Sequence, residues 1–212
     1  MGNHTLKLSD QKVLTEAREV LKEHLPLESD GYRCTTDNLY DALLGVAVNR
    51  GTLQVICKDW LGMVEPETIR GYYNDQLRVE DLPELERRLN AALADQLPAR
   101  VKRQPQNVAI DLHDRPYYGK QPPAEALWVR GAAHDGTTRF YRIATAYVLH
   151  NGLRQNLALH FVMPADDMVT VLQSLLNRLC RRAITISCII SLRAAYGTRR
   201  CWKRNSRSRR TS

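Results

Sequence analysis

Apolar residues recur at helical spacing through the first hundred positions, and then the period changes. Leu14, Ala17, Val20/Leu21 and Leu25 fall three or four apart, and Pro26 closes that segment before the turn-rich Glu28-Ser29-Asp30-Gly31. A second helix is predicted after the cap candidates Thr35, Thr36 and Asp37, with Leu39, Leu43/Leu44 and Ala47/Val48 on one face and Gly51 at its end. Pro83 opens an amphipathic helix to about Leu97, in which Leu85, Leu89, Ala92/Leu93 and Leu97 point inward and Glu84, Glu86, Arg87 and Arg88 outward. Residues 98–105 are polar, basic and bracketed by Pro98 and Pro105, the composition of a linker.

Beyond that point the runs are short, apolar or alternating, and rich in Val, Ile, Tyr, Phe and Thr. Residues 107–112 (NVAIDL), 139–150 (RFYRIATAYVLH) and 155–163 (QNLALHFVM) read as three strands. Asn151-Gly152 is a hairpin signal between the second and third, with Leu153-Arg154 lengthening the loop. Asp166/Asp167 caps a helix carrying Met168/Val169, Leu172, Leu175/Leu176 and Leu179, and residues 184–192 (ITISCIISL) make a fourth strand. The order is that of an α+β protein with a mixed sheet. The expected divisions are a helical region over 1–97, a linker over 98–106, a sheet domain over 107–192 and a disordered basic tail over 193–212.

Charge sharpens this picture because it is unevenly spread. The 212 residues carry 31 bases, 23 acids and a formal charge of +8, which points to a polyanionic partner. Ten of the bases fall in residues 181–212, and the last acid is Asp167, so residues 1–180 hold 21 bases against 23 acids. No signal-peptide pattern or run of eighteen apolar residues is present, which predicts a cytoplasmic protein with no membrane partner. The five cysteines form no C-x-x-C and no Cys/His pair at ligand spacing, so neither a disulfide scaffold nor structural zinc is expected.

Residues 52–73 have the makings of a helix-turn-helix. Leu53, Ile56 and Trp60 supply an apolar face, Cys57 a small contact, Gly62 the turn and Pro66 the start of a second helix. Thr68, Arg70 and Tyr73 would then lie nearest to DNA. An ordinary helical hairpin accounts for the same pattern, Gly71 weakens the second helix by roughly 1 kcal/mol, and Asp59, Glu65 and Glu67 oppose phosphate.

The first strand carries an acid, Asp111, at the end of its apolar run. A carboxylate there needs a compensating cation, and Mg²⁺, which takes hard oxygen ligands, is one candidate. The plainer alternative is that Asp111 caps a turn and Asp114 pairs with Arg115. A metal hydrolase would need His113, Asp114 or Asp135 to converge on Asp111.

The block IDLHDRPYYGK, then RGAAHDGTTRFYRIATAYVLHNGLRQNLAL, then a Leu-rich helix resembles the first half of the catalytic domain of DDE-type transposases from bacterial and archaeal insertion sequences. The resemblance runs from about Val108 to Leu179. It implies an RNase H-like fold, DNA strand cleavage and transfer, and a carboxylate triad holding two Mg²⁺ (or Mn²⁺) ions. Asp111 matches the first acid of the triad, and so is the catalytic and metal candidate. Gly136-Thr137-Thr138-Arg139-Phe140-Tyr141 matches the turn into the second strand, with Arg139 and Arg142 as phosphate contacts. The resemblance implies DNA at the element ends as partner and admits a homo-oligomer. His113, His134 and His160 are read as surface or packing residues.

The chain then departs from that pattern. The second acid should follow the fourth strand, where residues 189–196 (IISLRAAY) have none, and no third acid exists, so catalytic incompetence is expected. Residues 197–212 (GTRRCWKRNSRSRRTS) suit either a nucleic-acid-binding tail or an out-of-frame translation. One allowed back-translation of residues 197–204, read from its third base, gives His-Glu-Ala-Val-Leu-Glu-Ala, an acidic helix-forming stretch. A frameshift and premature stop is the expectation adopted, with a non-enzymatic DNA-binding protein as the rival.

Overall fold

The computed structural model describes residues 10–49, 51–59, 64–119, 127–150, 153–182, 184–191 and 200–203. The chain divides into two units, residues 1–92 and 93–212. Their content is α+β, as the change of hydrophobic period predicts.

The first unit is helical. Helices α1 (Asp10–His24), α2 (Thr36–Asn49), α3 (Leu53–Asp59), α4 (Pro66–Gln76) and most of α5 (Leu82–Asp95) belong to it, with a short 3₁₀ turn at Val79–Asp81. The start of α2 is fixed reciprocally: Asn38 N–H donates to Thr35 Oγ1 at 3.3 Å, and Thr35 N–H donates to Asn38 Oδ1 at 2.8 Å. Arg18 on α1 donates to both oxygens of Asp41 on α2 at 2.8 and 2.9 Å, and to Asp37 at 3.2 Å, which ties the first two helices together. Leu39, Tyr40, Cys57 and Ile69 are buried in one apolar cluster. Tyr40 brings a hydroxyl into that core and satisfies it there, donating to the Leu25 carbonyl at 2.8 Å and accepting from Leu27 N–H at 2.9 Å. One side chain departs from its expected place: Glu86, placed outward by the simple wheel, is buried.

The second unit is a six-stranded mixed sheet with helix α7 (Met168–Arg181) on one face. Its strands are β1 (Gln106–Pro116), β2 (Val129–His134), β3 (Thr137–His150), β4 (Leu153–Val162), β5 (Ile186–Ser191) and β6 (Arg200–Lys203). β1 is central: it pairs antiparallel with β3, from Val108↔Val148 to Pro116↔Phe140, and parallel with β5. β4 and β2 occupy the other side of β3, and β6 lies antiparallel on β5. Val108, Ile110, Ala144, Ala146, Val148 and Leu157 pack against Val171, Leu175 and Leu179 of α7. The parallel β1–β5 pair follows from α7 carrying the chain back across the sheet.

Several boundaries differ from expectation. The segment read as a linker contains helix α6 (Ala99–Arg103), and Val101 and Leu97 are buried in the sheet core, so apolar burial outweighs the polar, proline-bracketed composition. β3 and β4 pair as far as His150↔Leu153, which puts Leu153 and Arg154 in a strand and not in the loop. β2 was not foreseen; it returns into β3 through Asp135 (φ 51°) and Gly136 (φ 74°), the two positive-φ positions of a type I′ hairpin. Part of the expected disordered tail, Arg200–Lys203, is strand β6.

At the end of the sheet, β4 receives two guanidinium groups from α7. Arg178 Nη1 donates to the Leu159 carbonyl at 3.2 Å, and Arg182 Nη1 donates to that of Leu157. Burial, then the neighbouring charge of Arg178, pulls the Arg182 pKa below its ordinary value. Among the described residues no helix is long and apolar enough to cross a membrane.

Candidate functional site

Strand alternation places Asp111. Because Val108 and Ile110 face α7, Ala109, Asp111 and His113 face the opposite side of the sheet. Asp111 lies opposite Thr145 of β3 in the pairing register, and its side chain is 21% exposed.

The groups around Asp111 come from three strands. His113 Nε2 is 3.7 Å and Arg154 Nη1 3.8 Å from the same Asp111 oxygen, Oδ2. Arg154 Nη2 donates to Thr145 Oγ1 at 2.9 Å and to His113 Nε2 at 3.0 Å, while its carbon Cζ lies 3.8 Å from the centre of the Tyr147 ring. His113 Nε2 thus lies between the Arg154 guanidinium and the Asp111 carboxylate, and its role in those contacts follows from the ring's tautomer. Thr145 Oγ1, which accepts from Arg154, lies 3.1 Å from that same Nε2. Arg154 is thus fixed by stacking and by hydrogen bonds, with one edge turned toward the carboxylate.

A pair of divalent ions does not fit this arrangement. Two hard cations need several anionic oxygens, and among the described residues the charged or ionisable neighbours of Asp111 are a guanidinium and an imidazole. Asp114, the nearest acid in sequence, is held by Arg142: Arg142 Nε and Nη2 donate to its two carboxylate oxygens at 2.7 and 2.8 Å. These residues are directly opposite in the β1–β3 register, which is why Asp114 pairs with Arg142 and not with its chain neighbour Arg115. The hydrogen bonds to Asp114 raise the Arg142 pKa above its ordinary value, against burial, which lowers it.

The remaining candidates are dispersed. Arg142, expected to contact phosphate, has its charge matched by Asp114. Arg139 lies over the Trp128 ring, with Cζ 5.1 Å from its centre. His160 sits 3.2 Å from Asp166, and His134 stacks on Phe140 at 4.0 Å, so both have structural surroundings.

In the helical unit, α3 and α4 flank the expected turn, and Trp60 and Gly62 lie outside the described residues. Thr68 and Arg70 are exposed on α4, but Arg70 is paired with Glu67. Tyr73 faces inward: its hydroxyl donates to the Leu39 carbonyl at 2.5 Å, and burial pushes its pKa up. Tyr73 therefore does not stand with Thr68 and Arg70 on the outer face of α4, as the sequence led one to expect.

Sequence reasoning missed Arg154, Thr145 and Tyr147. A two-residue Asn-Gly turn would have put Arg154 into the strand, three residues past the Asn, and alternation on β3 aligns Thr145 and Tyr147 with it. No family model matches the chain, and neither a curated protein nor a solved structure does.

Proposed function

We propose that the chain is the DNA-binding, catalytically incompetent remnant of an insertion-sequence transposase of the DDE type, with an RNase H-like sheet unit and a helix-turn-helix in its helical unit. One observation carries this reading: Asp111 stands on the strand between antiparallel β3 and parallel β5, on the face that α7 leaves open. The order β1, β3, β4, α7, β5 also supports it, since an RNase H-like fold has three antiparallel strands, then a helix, then a fourth strand that lies beside the first. The resemblance of residues 108–179 to that family's motifs also supports it.

What the chain retains on this reading is association with DNA. Among the described residues Asp111 has Arg154 and His113 beside it and no second acid, which gives no seat for the metals that strand transfer requires, so no cleavage step is assigned. The test has two parts. A supercoiled plasmid incubated with the protein and Mg²⁺ or Mn²⁺ should remain un-nicked, and the coding DNA beyond codon 180, read in all three frames, should supply an Asp after the fourth strand and a later Glu. Metal-dependent nicking that is lost in Asp111→Asn would refute incompetence. Absence of those acids from every frame would favour the purely DNA-binding reading, in which Asp111 never served catalysis.

A further inference from the structure

We infer that the sheet face bearing Asp111 continues, at the β2 end, into a platform for single-stranded DNA formed by Arg115, Tyr117, Trp128, Arg130, Arg139 and Tyr141. This rests on the proposed reading only for the choice of DNA over RNA; the surface itself is independent of the helix pair.

The six residues come together through strand pairing. Arg115 on β1 is opposite Tyr141 on β3, and Arg130 on β2 is opposite Arg139 on β3. Tyr141 is four residues before Thr145 on the same strand, so it shares the face of Asp111. Tyr117 N–H donates to the Arg139 carbonyl at 2.9 Å, which brings its ring edge-on to Tyr141 at 5.2 Å between centres. Arg139 and Arg130 both lie over Trp128, at 5.1 and 5.8 Å, so the indole spaces the two guanidinium groups across the surface.

Three properties of this patch select its ligand. First, Arg115 and Arg130 are exposed and Arg139 partly so, and among the described residues none of the three forms an ion pair. Unpaired guanidinium groups held in place without a carboxylate suit phosphate oxygens. Second, Tyr141 is 39% exposed and offers a ring to an unstacked base. Third, the Tyr141 and Trp128 rings lie among the arginines, and a single strand has unstacked bases to lay on such rings while its backbone tracks the guanidinium groups, whereas the bases of a duplex are already stacked on one another.

The experiment is a fluorescence-anisotropy titration of the full chain with short labelled oligo-dT, the corresponding oligo-dT·dA duplex and oligo-rU, at several salt concentrations. Tyr141→Ala and the double variant Arg130→Gln/Arg139→Gln should each weaken oligo-dT binding about tenfold, the scale of one lost stacking or phosphate interaction. Tyr141→Phe should bind like the parent, because stacking needs the ring and not the hydroxyl. The double variant should also have a shallower salt slope.

Unchanged oligo-dT affinity in Tyr141→Ala, equal loss in Tyr141→Phe, or tighter binding of oligo-rU than oligo-dT would each overturn the platform. A Thr68→Ala/Arg70→Ala variant separates the two readings. Loss of oligo-dT binding there would overturn the platform, whereas retained oligo-dT binding supports it, and unchanged duplex binding in that variant would remove the helix pair alone.

Discussion

Arg154 Nη1 stands 3.8 Å from Asp111 Oδ2, so the acid that a metal would seek already faces a fixed cation. Adding millimolar Mg²⁺, or removing divalent ions with a chelator, should leave the thermal midpoint of the protein unchanged. A ligand held at a hundred times its dissociation constant adds about 2.7 kcal/mol, which would be plainly visible as a shift in Tm. A Mg²⁺-dependent rise that disappears in Asp111→Asn would reveal a metal seat that the described side chains do not explain.

The cross-strand pair of Asp114 and Arg142 should matter for stability and not for DNA. Arg142→Met leaves a half-buried carboxylate without its two charge-assisted hydrogen bonds and should cost about 1.5–3 kcal/mol in urea unfolding. DNA affinity should stay at the parent level. If affinity falls while stability holds, Arg142 contacts phosphate after all.

Tyr73 gives a sharper discrimination on α4. Removing its hydroxyl in Tyr73→Phe deletes the bond it adds to the Leu39 carbonyl and should destabilise the helical unit by about 1 kcal/mol, with duplex binding unaffected. Thr68→Ala and Arg70→Ala should show the reverse pattern. Loss of duplex affinity in Tyr73→Phe at unchanged stability would put Tyr73 back on the DNA side.

Asp167 sets a pH dependence. It caps α7 by accepting from Thr170 N–H at 2.7 Å, and that backbone hydrogen bond holds its carboxyl below the ordinary value. A pKa depressed in the folded state contributes stability that is complete above the unfolded value, about pH 4, and is lost as pH falls through the folded value. Asp167→Ala should therefore be destabilised at neutral pH, with the gap to the parent narrowing below about pH 4. A gap of constant size down to strong acid would mean that the carboxylate charge contributes nothing to the cap.

How far the sequence reached depended on what each segment buries. Helices α1, α2, α5 and α7 were legible because their leucines repeat at the helical period, and β1, β3 and β4 because alternation coincides with β-branched and aromatic residues. β2 was not, since Gly131, Ala132 and Ala133 give it little apolar contrast; its formation depends on the Asp135-Gly136 turn and on pairing with β3. The expected linker misled because a single buried residue, Val101, decides its structure while five polar or basic neighbours dominate its composition.

The site was legible only in part, and for a related reason. Asp111 stands out as an acid ending an apolar run. Its surroundings depend on register: Thr145 comes opposite it through the β1–β3 pairing, and Arg154 reaches it because β3 and β4 pair down to His150↔Leu153. Likewise Arg142 read as a free cation until the pairing set it opposite Asp114. Patterns along one strand identify faces, but the partners across strands are fixed by turn geometry.

The arginines that α7 lays on Leu157 and Leu159 also give the sheet a direction. A foreign strand seeking to extend it beyond β4 must first evict two guanidinium groups from the carbonyls it would need, one of them already held in a desolvated setting. Self-association by strand addition is thereby discouraged along that margin, and any tendency of this polypeptide to polymerise is pushed toward the opposite border, where β5 and β6 lie.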